Sequence, residues 1–280
     1  MADDYELIDA GDGRRLERFG PQIVDRPAPA AALPRADPDA WAGATLRFDR
    51  DAEGARGRWR PADVEPWTAS VGGLELELRP ATGGQVGLFP EQLGLGGWLG
   101  ERIHAVPAGQ RPSVLNLFAY TGAATLVAAR AGAGVAHVDA SPTAVGWARR
   151  NAGRNGLTGH PIRWLTEDAA RFVRREVTRR NRYDGVVLDP PSYGHGRGGR
   201  PWRLADDLDP LLAGVAGVLD GSAPFVLLTA HARDLTSDAL RDRLAAALAT
   251  EPRAIESGPL ELVARSGARL AAGAFARWPR

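Results

Sequence analysis

The stretch from Ser113 to Gly122 reads S-V-L-N-L-F-A-Y-T-G. Its apolar run follows Pro112 and is typical of a strand buried in a parallel sheet. The run leads into a tight turn at Gly122 and then into the alanine-rich residues 123–131, which favour a helix. This order of elements builds nucleotide-type binding sites, because the first helical N–H groups point at the ligand. An ordinary strand-to-helix turn explains the stretch equally well, since one glycine is a weak signal.

A carboxylate follows the next apolar run. Residues 135–138 form that run, and Asp139 comes directly after it. This position, roughly twenty residues after the first strand, is where a ribose diol needs a hydrogen-bond acceptor. The alternative role is a helix N-cap, because Ser141-Pro142 begins the next helix. Ser141 can supply that cap itself, so we expect Asp139 to have no structural role and to serve a ligand.

The pattern stays regular from here to the end of the chain. We predict seven strands, at residues 113–118, 135–138, 162–165, 185–188, 224–229, 260–265 and 269–278. Helices separate the first five strands, and the last two read as an antiparallel hairpin with a turn at Ser266-Gly267. The predicted fold class is therefore α/β, with a doubly wound and mostly parallel sheet. Gly122, Asp139, Asp168 and Asp189 all follow strands, and ligands bind at that edge of such sheets.

Asp168 and Asp189 carry separate predictions. Asp168 either caps the helix that starts at Ala169 or accepts a hydrogen bond from an adenine amino group, and both roles are compatible. Asp189 opens the segment D-P-P-S-Y (Asp189–Tyr193), in which two prolines hold the chain extended after a buried strand. The Asp189 carboxylate and the Pro190 carbonyl are expected to face the cleft, with Tyr193 flat against a planar ring. This arrangement suits a nucleobase taken out of its stack, and the alternative is a loop with a prolyl break.

Composition limits the possible functions. The chain has 280 residues with 44% hydrophobic and 25% charged residues, which is ordinary for a soluble globular protein. No apolar run reaches membrane-spanning length and the acidic start is not a signal peptide, so we expect no membrane contact. The chain has no cysteine, which excludes disulfides, thiolate metal sites and a cysteine nucleophile and favours the cytoplasm. With a net charge of +1, any nucleic-acid site must be a local patch.

Residues 1–85 differ from the remainder. Proline, glycine and tryptophan recur there, and Leu74, Leu76 and Leu78 alternate with charged residues as in a half-exposed strand. We predict a small β-rich module over 1–85, either a substrate platform or a lid, followed by a second domain over 86–280. Trp59 lies between arginines, a pattern that suits base stacking by the ring and phosphate contact by the arginines. Tryptophans buried in a small β core explain it at least as well. The stretch 86–92, V-G-L-F-P-E-Q, either closes over a ligand or connects the domains.

These motifs resemble those of class I S-adenosylmethionine-dependent methyltransferases. More narrowly, the chain is similar to bacterial large-subunit rRNA base methyltransferases that place a small β module before the catalytic domain. N-L-F-A-Y-T-G, V-D-A-S, E-D and D-P-P-S-Y match four of their motifs in order, and G-L-F-P-E-Q resembles the stretch before the first strand. The resemblance covers residues 86–280 and implies a Rossmann-like methyltransferase sheet, S-adenosylmethionine as cofactor and RNA as substrate. It leaves the oligomeric state open.

The resemblance also implies roles for individual residues. Asp139 would bind the ribose, Asp168 would lie near the adenine amine, and Asp189, Pro190 and Tyr193 would act beside the substrate. No metal is expected. The full set of implied cofactor contacts is Phe89, Gln92, Asn116, Phe118, Tyr120, Gly122, Asp139, Ser141, Asp168 and Asp189.

One departure from the family pattern changes the expected chemistry. Members that methylate C5 of cytosine use a cysteine just after the fifth strand, whereas this region reads L-T-A-H-A over residues 228–232. A cysteine adduct is excluded, and direct transfer to a ring nitrogen or exocyclic amine remains. His231, at the nucleophile's position, either meets the substrate or caps a loop. The alternatives are a small-molecule methyltransferase and a non-catalytic RNA-binding relative; a dehydrogenase is disfavoured because the G-x-G-x-x-G spacing is missing around Gly122.

Two arginine-rich segments are candidates for phosphate contact. The loop 197–203 directly follows the D-P-P-S-Y segment, so we expect it to border the cleft and bind phosphates. The predicted helix that carries Arg171, Arg174 and Arg175 is equally basic. We interpret that helix as a solvated face, because carboxylates lie close to its arginines.

Overall fold

The first compact unit is built on antiparallel strands. The computed structural model describes residues 3–51, 57–194, 201–220, 223–232 and 235–279. These residues form two units: one comprises Met1–Leu93 and Glu261–Ala272, and the other comprises Gly94–Leu260 and Gly273–Arg280. We predicted the division after residue 85 and did not expect the segment 261–272 to join the first unit. The function predicted for the N-terminal module stays a prediction.

Seven strands of the first unit pair in chain order. They are β1 (Tyr5–Gly11), β2 (Arg14–Phe19), β3 (Gln22–Pro27), β4 (Leu46–Arg50), β5 (Gly57–Arg60), β6 (Trp67–Val71) and β7 (Leu74–Leu78). The first five form one sheet and the last two form a hairpin. The pairing is antiparallel except between β3 and β4, which run parallel. Leu7 of β1 also bridges to Ala264, which brings the 261–272 segment into this unit.

The tryptophans of this unit serve its own structure. Trp41 donates its indole N–H to Asp9 at 2.8 Å, and Trp67 donates to the Phe19 carbonyl at 3.0 Å. Trp59 donates to the Ala81 carbonyl, and its ring lies 5.0 Å from that of Phe48. These contacts support the core role for the tryptophans over base stacking. Residues 52–56, which include one arginine of the predicted stacking motif, lie outside the described residues.

The second unit is an α/β fold with helices between the strands. Its helices are α1 (Gly96–His104), α2 (Ala123–Arg130), α3 (Pro142–Arg154), α4 (Ala169–Arg179), α5 (Leu204–Val218) and α6 (Ser237–Leu248). Its strands are β8 (Ser113–Leu117), β9 (Gly134–Asp139), β10 (Ile162–Thr166), β11 (Gly185–Leu188), β12 (Tyr193–Gly194), β13 (Trp202–Arg203), β14 (Phe225–Ala230), β15 (Glu256–Val263) and β16 (Arg269–Trp278). Among the described residues, no helix has both the length and the apolarity needed to cross a membrane.

Seven of these strands form one sheet in the order β10-β9-β8-β11-β14-β16-β15. The first five strands in this order run parallel, and β16 runs antiparallel to β14. The predicted fold class is confirmed, including the closing hairpin. The strand order reverses between β8 and β11, and ligands bind at such a switch point beyond the carboxyl ends of the strands.

The strand register brings the two main motifs together at this switch point. Leu117, the last residue of β8, pairs with Leu188, the last residue of β11. Both side chains are fully buried in a core that extends over β14, α4 and α5. The loop that starts at Phe118 and the segment that starts at Asp189 therefore leave the sheet side by side.

Candidate active site

The loop after β8 has an unusual backbone. Phe118, Tyr120 and Gly122 have φ angles of 54°, 48° and 94°. Bulky aromatic residues rarely adopt this left-handed conformation, and such residues cluster at functional sites. Hydrogen bonds to β9 hold the loop, since the Ala119 N–H donates to the Val138 carbonyl and the Tyr120 N–H donates to Asp139. This strained and supported loop is the first part of the site.

Gly122 is required by the fold itself. Its φ of 94° strains any other residue, and a Cβ there would lie 3.0 Å from the Ala148 Cβ on α3. Gly122 is also the N-cap of α2, and it supplies no side-chain cap to the first helical N–H groups. Those groups can therefore bind a ligand, as the sequence predicts. Close approach of a ligand to Gly122 itself stays a prediction.

A buried polar chain lies beneath this loop. Asn116 donates to the Thr125 hydroxyl at 2.8 Å, and that oxygen lies 2.9 Å from Nδ1 of His137. The Thr125 hydroxyl thus links the Asn116 amide to the His137 ring through two buried hydrogen bonds. Burial, and then the charge of Arg149, lowers the pKa of His137 to about 3. Thr125 and His137 had no sequence signal, because both read as ordinary buried positions.

Asp139 has a structural role that we did not expect. Its carboxylate accepts hydrogen bonds from the backbone N–H groups of Tyr120 and Ser141, both at 2.8 Å. The expectation that Ser141 leaves Asp139 without structural work is therefore wrong. Ser141 does cap α3, and its hydroxyl accepts from the Ala144 N–H. Burial raises the pKa of Asp139 while the two N–H donors oppose that rise. Each oxygen keeps a further lone pair that a ribose hydroxyl can use.

Asp168 caps α4. Its side chain accepts from the Arg171 N–H at 2.8 Å, which confirms the capping prediction. The neighbouring Glu167 binds Arg175 through two hydrogen bonds of 2.7 and 2.6 Å. The adenine contact predicted for Asp168 stays a prediction that is compatible with the cap.

The Asp189 carboxylate contacts two residues at the end of β14, the strand next to β11 in the sheet. The Thr229 hydroxyl donates to Asp189 Oδ1 at 2.6 Å, and His231 Nε2 lies 3.3 Å from the same oxygen. The pairing of Leu188 with Leu228 brings these residues together, because it places the ends of β11 and β14 level. His231 therefore contacts the D-P-P-S-Y segment directly. The loop cap stays a prediction, because residues 233–234 of the following turn lie outside the described residues.

Aromatic side chains surround this segment. Trp202 donates its indole N–H to the Pro191 carbonyl at 2.7 Å, and its ring lies 5.2 Å from that of Phe118. Pro190 is buried, whereas Tyr193 is 52% exposed and therefore accessible to a planar ligand. Residues 197–200 of the predicted phosphate-binding loop lie outside the described residues. No cluster of acidic or histidine side chains suited to a metal ion occurs in the described part of the chain.

Phe89 and Gln92 belong to the first unit. Both are half-buried, and the Gln92 N–H donates to the Phe89 carbonyl at 3.1 Å. Their cofactor contacts stay predictions.

Comparisons with known proteins agree with the sequence motifs. No family model matches the chain. Residues of the chain are 35% identical over 101 positions to ribosomal RNA large subunit methyltransferase K/L of Colwellia psychrerythraea, covering 36% of this chain and 13% of that protein. They are 33% identical over 110 positions to ribosomal RNA large subunit methyltransferase K of Neisseria meningitidis, covering 39% of this chain and 29% of that protein. The chain thus spans well under half the length of these relatives.

Solved structures match over the whole chain. A SAM-dependent methyltransferase from Agrobacterium tumefaciens is 37% identical with a TM-score of 0.90, over 99% of this chain and 91% of that one. The SMU.776 protein complexed with SAH has a TM-score of 0.73 at 14% identity, over 99% of this chain and 76% of that one. At this identity the second match supports the fold alone.

Proposed function

This chain belongs to the S-adenosylmethionine-dependent methyltransferase family, and we propose that it methylates a nitrogen of a base in ribosomal or other RNA. The cofactor is set by the family, whereas the acceptor is the proposed part. Two curated relatives are named for ribosomal RNA, and their similarity covers 36% and 39% of this chain.

The residues around the loop fit the cofactor. The first-turn N–H groups of α2 lack a side-chain cap, and the Asp139 carboxylate has lone pairs beyond those used by Tyr120 and Ser141. We assign the methionine part to Asn116, Phe118, Tyr120 and Gly122, the ribose to Asp139 and the adenine to Asp168. Phe89, Gln92 and Ser141 are assigned as further contacts. When bound, S-adenosylmethionine supplies a methyl group that is already activated for transfer.

The observation that carries the acceptor proposal is a held carboxylate, Asp189, in the same five-residue segment as an exposed aromatic ring. The Asp189 carboxylate is held by Thr229 and His231, and half-exposed Tyr193 belongs to the same five-residue segment. A carboxylate orients an amine N–H and takes its proton, while an aromatic ring stacks on a flipped base. Pro190 would add a carbonyl acceptor. The absence of cysteine from the 280-residue chain supports transfer to nitrogen, because it excludes a cysteine adduct at C5 of cytosine.

The charge distribution supports an RNA acceptor. Residues 142–182 contain ten arginines and three carboxylates, although the whole chain has a net charge of only +1. Each carboxylate is engaged: Glu167 binds Arg175, Asp168 caps α4, and buried Glu176 accepts from the Tyr183 hydroxyl at 2.6 Å. On and just after α4, Arg171, Arg174, Arg179 and Arg180 are exposed, and phosphates bind exposed arginines of this kind. This favours phosphate contact over the solvated-face interpretation. A ribosomal substrate would place the chain in the cytoplasm, as the cysteine-free sequence also favours.

The test is transfer of labelled methyl from S-adenosylmethionine to total RNA from a strain that lacks this gene, followed by nucleoside mass spectrometry. We expect label on a base nitrogen. Methylation that persists after the substrate pool has been treated with nuclease, before the enzyme is added, would replace the proposal with the small-molecule alternative. RNA binding without transfer would replace it with the non-catalytic alternative.

A further inference from the structure

Two donors from one strand end converge on a single oxygen of Asp189. Thr229 is 4% exposed and donates its hydroxyl to Oδ1 at 2.6 Å. His231 lies two residues further along the chain, and its Nε2 is 3.3 Å from the same Oδ1. A carboxylate that accepts hydrogen bonds is favoured in its charged form and in one rotamer. The pair therefore restrains the orientation of the Asp189 carboxylate.

The fold keeps room for the histidine ring. Ala230 pairs with Ala274 of β16, and Gly273 precedes it. A Cβ on Gly273 would overlap the Ala230 carbonyl oxygen and would lie 3.2 Å from His231 Nδ1. The φ of Gly273 is 149°, which strains other residues. Because Gly273 has no side chain, β16 can pass close to the His231 ring. The strand thereby confines the ring on the side away from Asp189.

We propose that His231 is a positioning residue for methyl transfer, which donates Nε2–H to Asp189 and, with Thr229, holds that carboxylate toward the acceptor nitrogen. The proposal rests on the proposed function of Asp189. In the transfer the acceptor nitrogen forms a bond to the methyl carbon, the carbon–sulfur bond breaks, and the nitrogen then loses one proton. Asp189 takes that proton and passes it to water. His231 stays protonated on Nε2 throughout and acts only through Asp189.

The activity test compares variants that differ in the donor. His231→Ala removes the donor, whereas His231→Gln keeps an N–H near the position of Nε2 but cannot titrate. We expect kcat to fall roughly 100-fold in His231→Ala, because a loosened catalytic group costs about that factor. His231→Gln should stay within about tenfold of wild type, and affinity for S-adenosylmethionine should be unchanged in both. His160→Ala is the matched control, since His160 is an exposed histidine outside the site.

A second pair of variants tests the same carboxylate if His231→Ala does not fold. Thr229→Val removes the other donor at constant shape, and Thr229→Ser restores it. Wild-type kcat in His231→Ala, or an equal loss in His231→Gln and His231→Ala, would overturn the proposal. So would equal kcat in Thr229→Val and Thr229→Ser.

A measurement without any acceptor separates this proposal from the proposed function. The chain has five histidines, and ¹⁵N NMR with His231→Gln as the assignment variant reports the protonated nitrogen of His231. We expect a proton on Nε2 at neutral pH; an Nε2 without a proton would overturn the proposal even if RNA is methylated. If the wild-type chain labels no RNA while Nε2 is protonated, the proposed acceptor fails and the contact stands.

Discussion

Replacing Asp139 with alanine should weaken cofactor binding and loosen the strained loop at once. The substitution removes the acceptor of two backbone N–H groups, Tyr120 and Ser141. A hydrogen bond to a charged group contributes about 1.5–3 kcal/mol, and water can replace the exposed Ser141 contact, so we expect a loss of about 2 kcal/mol in stability. Losing the ribose acceptor should cost about 1.5–3 kcal/mol of binding, which raises Kd roughly 10- to 150-fold.

Calorimetric titration with S-adenosylmethionine measures the effect on binding, and thermal unfolding measures stability. Asp184→Ala is the matched control, because Asp184 also accepts a backbone N–H, that of Ser113 at 2.8 Å, but lies at the opposite end of β8. It should lose stability and keep its affinity. An S-adenosylmethionine analogue with 2′-deoxyribose separates the hydrogen bond to ribose from the support of the loop. Wild type should bind this analogue more weakly than the cofactor, whereas Asp139→Ala should bind the two with equal affinity. Unchanged affinity in Asp139→Ala, or an equal loss in Asp184→Ala, would refute the ribose assignment.

Four further outcomes follow from the same geometry. Asp189→Asn should lower turnover at least about 100-fold with unchanged cofactor affinity; turnover within tenfold of wild type would reduce D-P-P-S-Y to a structural break. Tyr193→Ala should raise KM for RNA roughly tenfold through lost stacking, while Tyr193→Phe should not; equal losses would assign the role to the hydroxyl. Gly122→Ala should lower the free energy of unfolding by about 1–2 kcal/mol for the left-handed backbone, and further through a clash with Ala148. Adding Ala148→Gly to this variant should recover only the part due to the clash, as measured by thermal unfolding. Affinity for the cofactor should fall on acidification, because protonation of the Asp139 carboxylate removes the acceptor for the ribose. The raised pKa of Asp139 makes this loss begin at higher pH than for an ordinary aspartate. Calorimetry across pH should find that the affinity of Asp139→Asn does not change with pH.

The site could be located from the sequence because parallel strands end at one edge. Each of Gly122, Asp139, Asp168 and Asp189 follows an apolar run, and the periodicity of buried strands was enough to place the four at one edge of the predicted sheet. The caps at Ser141 and Asp168 are equally local, since each side chain reaches an N–H three residues ahead. Short-range chemistry of this kind is readable without knowledge of the fold.

Contacts between distant parts of the chain were not readable in the same way. The chain from Asn116 through Thr125 to His137 joins a strand, a helix and a second strand inside the core. Threonine and histidine in apolar surroundings carry no periodic signal, so their hydrogen bonds appear only once the packing is known. The second backbone role of Asp139 has the same origin, because the loop conformation at Tyr120 decides it.

The contact of Asp189 with Thr229 shows why the missed part matters for chemistry. Asp189 follows one predicted strand and Thr229 ends another, but a periodic pattern does not reveal the order of strands in the sheet. Once β11 and β14 are adjacent, the pairing of Leu188 with Leu228 fixes the contact by register across forty residues. A carboxylate held by strand register is oriented before any acceptor arrives. Catalysis that consists mainly of alignment requires a catalytic group fixed in advance.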